Sequence, residues 1–126
     1  MRKHRQQMKA AEITALEARI HQVCSPELAG HAAQRMEQKS VSAQEITNCL
    51  RWGQAVEIHN EAGELRAVVR HQYGKPKVAV CVVVSLETGV VVTTWKNKGS
   101  DNHSTLNLWA YQWQVNVASV LTALPA

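Results

Sequence analysis

At 126 residues, with 45% hydrophobic and 19% charged side chains, the chain is long enough to bury a core and fits one ordinary globular domain. No apolar run approaches the ~20 residues of a membrane helix. The basic start MRKHRQQMKAAE leads into a polar helical segment rather than an apolar signal core, so no membrane association and a cytoplasmic location are expected.

In chain order, residues 8–24 read as a helix, with Ile13, Leu16, Ile20 and Val23 recurring at three- and four-residue steps. Ser25 and Pro26 are suited to starting a second helix, which runs to about Gln38. Its apolar side is Leu28, Ala32 and Met36, and His31 and Arg35, four apart, share a neighbouring face. Ser42-Ala43-Gln44-Glu45 is a capping box that opens a third helix, ended by Gly53.

The period then changes. Residues 54–60 alternate as a strand, with Ala55, Glu57 and His59 opposing Val56 and Ile58, and residues 65–71 form the next strand, placing Arg66 and Arg70 on one face. Val78 to Val84 is an almost unbroken run of Val, Ala and Cys, the pattern of a strand covered on both faces. A Glu87-Thr88-Gly89 turn returns the chain through a strand ending at Trp95. Beyond it lies a dense polar cluster: Lys96, Asn97, Lys98, Asp101, Asn102, His103, Ser104 and Thr105. The tail alternates at Trp109, Tyr111, Trp113, Val115 and Val117, although Trp109, Trp113, Val117 and Leu121 also fit a helix; a strand over residues 111–118 is preferred. The whole is a single α+β domain over residues 1–126, N-terminal helices packed on a four- to five-stranded antiparallel sheet.

Cys24, Cys49 and Cys81 are odd in number and have no CxxC spacing, which argues against a zinc framework or disulfide set. Cys81, in the most apolar strand, reads as a core residue. His31, His71, Asp101 and His103 lack the spacing of a metal-ligand pair, and a Gly-rich phosphate loop and a nucleophile elbow are absent, so no metal or cofactor is expected. The net charge of +4, with Arg2, Lys3, Arg5 and Lys9 clustered at one end, leans toward a polyanionic partner.

The run HAAQRMEQKSVSAQEITNCLRWG, then strands carrying Arg66 and Arg70 and a strand ending TTWKN, resembles a family of small prokaryotic and phage proteins. That family is generally placed near the barnase, EndoU, colicin and RelE group of metal-independent ribonuclease toxins. The resemblance covers about residues 28–105, leaving an extra N-terminal helix at about 8–24 and a C-terminal extension at about 106–126. Lys39 stands where members often have Arg, which keeps the charge but loses the planar fork.

The resemblance implies helices on a four-stranded antiparallel sheet and cleavage of RNA, a tRNA being one candidate, with an inhibitor protein as a further partner. Such cleavage needs a base for the ribose 2′-OH, an acid for the leaving oxygen and cations around the phosphorane. His31 and His103 are the expected acid and base, and Arg35, Arg70 and Lys96 the phosphate contacts. Asp101 beside His103 would orient its imidazole, or bond turn amides instead. A second expectation is a non-catalytic phage or mobile-element binding protein on the same scaffold, docking through Trp109, Tyr111 and Trp113 onto a host protein or nucleic acid.

Overall fold

A computed structural model describes residues 1–23, 26–61, 63–74, 77–98 and 107–124. Strands β1 (Arg2–His4), β2 (Gln54–Glu61), β3 (Glu64–Tyr73), β4 (Val78–Ser85) and β5 (Val91–Lys98) form one antiparallel sheet in sequence order. Helices α1 (Ala10–His21), α2 (Gly30–Lys39) and α3 (Ala43–Trp52) pack on the sheet, and α4 (Val117–Thr122) packs on α1. The α+β architecture with N-terminal helices on an antiparallel sheet is the one expected. Among the described residues, no helix is long and apolar enough to cross a membrane.

The core joins Leu16, Ile20, Ile46 and Leu50 from the helices to Ile58, Val69, Val82 and Val84 from the strands, all fully buried or nearly so. Alternation along a strand dictates that these strand residues share one face. On β4 the other face is buried too, through Ala79, Cys81, Val83 and Ser85, which agrees with its uninterrupted apolar run. The thiols of Cys49 and Cys81 lie inside: Cys49 Sγ donates to the Val69 and Val80 carbonyls, and burial pushes its pKa upward. They are packing groups. Cys24 lies outside the described residues.

Two β-bulges reset the alternation read from the sequence. Val56 is the extra residue between Ala55 and Glu57, so Ala55 and Ile58 both reach the core and Glu57 and His59 face away. On β5 the register shifts at Val92, which puts Val91 on the same face as Thr94 and Lys96.

Three expectations are corrected. The fifth strand is β1, from the basic start, and not the tail. The tail instead makes a 3-10 turn at Leu108–Ala110 and then α4, whose Asn116 side chain accepts from the Ser119 amide while Val117 and Leu121, four apart, are buried. Between them it lies along the sheet margin, where Trp113 N–H donates to the Arg2 carbonyl at 3.2 Å. Finally, α2 starts at Gly30 rather than at Pro26, because Val91 N–H donates to Glu27 O at 2.7 Å and Ala29 N–H to Val91 O at 3.0 Å. These bonds hold residues 27–29 extended and parallel to β5. Ser25 lies outside the described residues. The Ser42–Glu45 capping box forms as expected, each side chain accepting from the other's amide.

Gly53 follows α3 with a negative φ, so its need is for space. A Cβ there would stand 2.3 Å from Cys49 O and 2.8 Å from Val69 Cγ1. Gly53→Ala is expected to cost about 2 kcal/mol or more, read as a lowered urea midpoint with unchanged slope.

Glu12 ties the chain ends together. Its carboxylate accepts from Lys3 Nζ at 2.7 Å, from the Lys9 amide at 2.9 Å and from the Val117 amide at 2.9 Å. Burial by itself would raise its pKa, but the Lys3 bond and the two amides outweigh burial and hold it at about 2. A depressed folded pKa means stability that is full above the ordinary carboxylate value and lost as pH falls toward 2. That loss should amount to about 3 kcal/mol, and Glu12→Gln should abolish the step while destabilising the protein by a similar amount at pH 7. Urea titrations of both proteins between pH 7 and 2.5 check it.

Candidate functional site

Arg70 sits opposite Cys81, and Cys81 opposite Trp95, so Arg70 projects from the helix-free face. The next residue, His71, sits opposite Val80 and in line with Lys96, toward the helices. Arg70 and Lys96 are therefore at the same end of the sheet but on opposite faces.

A depression of about 430 Å³ opens where β2 begins and β3 ends. Its lining includes His4, Arg5, Trp52, Gln54, Arg70 and His71. Three short-range devices place these groups. The 3-10 turn Arg5–Gln7 leaves β1 with His4 at its cap, the imidazole Nδ1 accepting from the Gln6 amide at 3.1 Å. With Nδ1 used as an acceptor, the neutral ring carries its proton on Nε2. Arg5 Nη1 donates to Glu17 at 2.9 Å and to Ala55 O at 3.0 Å, and the same Glu17 oxygen accepts from the Ala55 amide at 2.9 Å. Trp52, last residue of α3, keeps 65% of its surface exposed, with the Arg51 guanidinium 5.4 Å from its ring centroid. Arg70 Nη2 donates to Lys98 O at 3.3 Å.

The other expected site residues lie elsewhere. Lys96 Nζ is 3.3 Å from Glu45, which also accepts from the Tyr73 hydroxyl. His31 is exposed on α2, its Nε2 accepting from Arg35 Nε at 3.4 Å. α2 starts beside Val91, and Lys96 is five residues further along β5 or about 16 Å at strand rise, so His31, in the first turn of α2, lies toward the Val91 end of the strand. His103 and Asp101 lie outside the described residues. Arg70 and His71 thus both line the depression, from opposite faces at the end of β3, while Lys96 shares the face of His71 and His31 lies on α2 outside the lining.

Sequence reasoning missed His4, Arg5, Trp52 and Gln54 as partners of Arg70. His4 and Arg5 registered only as part of a basic start. Trp52 did carry a signal, as a bulky apolar residue at the last helical position before Gly53. Among the described residues, no three His, Cys, Asp or Glu side chains gather as a metal site.

The profile of a family described as a domain of unknown function, DUF4258, matches residues 28–96. The chain belongs to this family. No curated protein and no solved structure matches it. The DUF4258 match spans α2 through most of β5, so Trp52, Gln54, Arg70 and His71 come from the family domain. His4 and Arg5 come from the segment preceding it. The depression is therefore a joint between the DUF4258 domain and its N-terminal extension.

The Tyr73–Glu45–Lys96 cluster supplies a prediction. Burial would raise the Glu45 pKa, but bonds from Tyr73, the Ser42 amide and Lys96 lower it. The Glu45 bond raises Tyr73; for Lys96, burial acts downward but Tyr73 and Glu45 raise the pKa overall. The carboxylate's contribution is lost as pH falls below the ordinary carboxylate range, and the contributions of Tyr73 and Lys96 are lost as pH rises above their ordinary values. Lys96→Ala should cost no more than about 1 kcal/mol at pH 7, the scale of a partly exposed ion pair, and should flatten the melting profile at both ends.

Proposed function

We propose that this protein is a metal-independent endoribonuclease of the toxin type that works at the depression between β1, β2 and β3. The observation that carries the reading is the lining itself: His4, Arg5, Arg70, His71 and an exposed indole all line the cavity, and no carboxylate does. Imidazoles suit proton transfer near neutral pH, guanidinium forks suit phosphate oxygens, and an indole stacks on a base.

In the proposed step His71 takes the proton from the ribose 2′-OH, and that oxygen attacks phosphorus. The bond from phosphorus to the 5′-oxygen breaks, and the leaving oxygen takes a proton from water in the open depression. The products are a 2′,3′-cyclic phosphate and a 5′-hydroxyl, so no water oxygen and no metal becomes bonded to phosphorus. Arg70 and Arg5 face the charge that builds on the equatorial oxygens. Resemblance to the barnase, EndoU, colicin and RelE group supports the same chemistry; it adds tRNA as one candidate substrate and an inhibitor protein as a partner. His31 and Arg35 are then surface residues of α2.

Purified protein should cut total RNA in EDTA and leave cyclic phosphate ends. His71→Ala should lower the rate about 100-fold or more with the melting temperature nearly unchanged, while His31→Ala stays within about 2-fold of wild type. RNA left uncut in EDTA defeats the enzyme reading. RNA bound but uncut leaves the second reading, a non-catalytic phage or mobile-element binding protein on this scaffold. A loss in His31→Ala equal to that in His71→Ala moves the site to α2.

A further inference from the structure

A second depression, of about 660 Å³, lies on the other side of the Arg5–Gln7 turn. Gln7 lines this one, and Arg5 and Gln6 line the first. Three residues of 3-10 helix rise about 6 Å, a distance that one extended nucleotide spans. Its other walls include Trp109, Tyr111, Gln112, Trp113 and Gln114.

The backbone carrying these side chains is pinned. Tyr111 OH donates to Glu57 at 3.0 Å, and the Arg2 guanidinium lies 4.2 Å from the Tyr111 ring centroid. Trp113 N–H is bonded to Arg2 O, and Gln7 Nε2 donates to Tyr111 O at 3.0 Å. Asn107 Oδ1 accepts from the Trp109 amide at 3.1 Å. On this fixed loop Trp109 nevertheless remains 83% exposed, and the Gln112 and Gln114 side chains stand beside it in solvent. An indole held out on a pinned backbone loses little freedom when a flat ring stacks on it. Amides can both donate to and accept from base edges.

The linings of these depressions differ in charge. Neither it nor its neighbour is lined by a carboxylate, whereas a third depression, by the β4–β5 turn, is lined by Glu27 and Glu87. The first two of these depressions are adjacent, on either side of the Arg5–Gln7 turn.

We infer that the second depression is a base-binding subsite for single-stranded RNA. Trp109 is its stacking platform, and Gln112 and Gln114 meet the base edges. Resting on the ribonuclease reading, the inference supplies the path of the strand: the phosphate at Arg70 and the next bases over Arg5–Gln7 onto Trp109.

The test uses the whole chain in EDTA and a ten-nucleotide 2′-O-methyl oligouridylate, which lacks the nucleophile and cannot be cut. Binding should quench tryptophan emission. Trp109→Ala should remove most of the quench and weaken binding about 10-fold, while Trp109→Phe, which keeps a stacking ring, stays within about 3-fold of wild type. The inference is overturned if Trp109→Ala binds as tightly as wild type, or if a proline-rich peptide binds at Trp109 and the oligonucleotide does not. Quenching and binding by a protein that leaves natural RNA uncut would keep this subsite and remove only the cleavage step. Cleavage of natural RNA with no Trp109 dependence of binding would do the reverse.

Discussion

The buried carboxylate of Glu12 is the constraint on which the ends of the molecule depend. One side chain on α1 accepts from Lys3 on β1, from the amide opening its own helix and from the amide opening α4. Lys3 in turn donates to Val115 O at 2.7 Å. A buried ion pair is a poor source of net stability, but losing one partner is costly because the other charge stays buried. The pair therefore acts as a registration device: β1, α1 and the tail can settle in only one mutual arrangement if Glu12 is to be satisfied. Both acid-free depressions lie along that arrangement. Lys3 and the tail line one, and His4, on the same three-residue strand, lines the other.

Each sheet margin is covered at one point by backbone bonds. Residues 27–29 run parallel to β5 through two hydrogen bonds to Val91, and Trp113 reaches the backbone of β1 through one. Covering an edge this way removes a template for unwanted strand addition. It also delivers chain to where it is needed: the first closure sets the start of α2 beside β5, and the second holds the Trp-rich tail against β1.

How far the sequence could be read follows from how local each determinant is. Helices α1 and α3, the body of α2, the β4–β5 hairpin and the Ser42–Glu45 capping box are written in nearest-neighbour patterns, and they were legible. The strand β1 was not, because three residues carry no period and its partners are Glu57, Ile58 and His59, far along the chain. The two bulges were equally silent, since a single extra residue at Val56 or Val92 changes no composition yet transfers Ala55 and Val91 to the core. The tail's alternation misled for a related reason: an extended segment alternates whether or not it pairs into a sheet. At the site, Arg70 and its neighbour His71 could be named from the strand pattern. His4 and Arg5 could not, because only the pairing of β1 brings them to the end of β3. His31 and Arg35 do share a helix face, as their spacing requires, but no local pattern says where that face points. This depends on α2 docking along β5.

The net charge of +4 gives a last distinction among the cations. Lys3, Arg5, Arg66 and Lys96 each stand within 3.3 Å of a carboxylate oxygen, so much of the basic composition is spent inside the fold. Pairing does not disable them equally. Lysine is a point charge, and Lys3 and Lys96 face carboxylates that any phosphate would have to displace. A guanidinium carries five N–H groups in a fixed fork, so the bonds from Arg5 Nη1 to Glu17 and Ala55 set its plane without exhausting its donors. Arg70 has the same fork, and its Nη2 donates to the neutral Lys98 carbonyl. Arg5 and Arg70 both line the depression, while Lys3 and Lys96 are each held against a carboxylate.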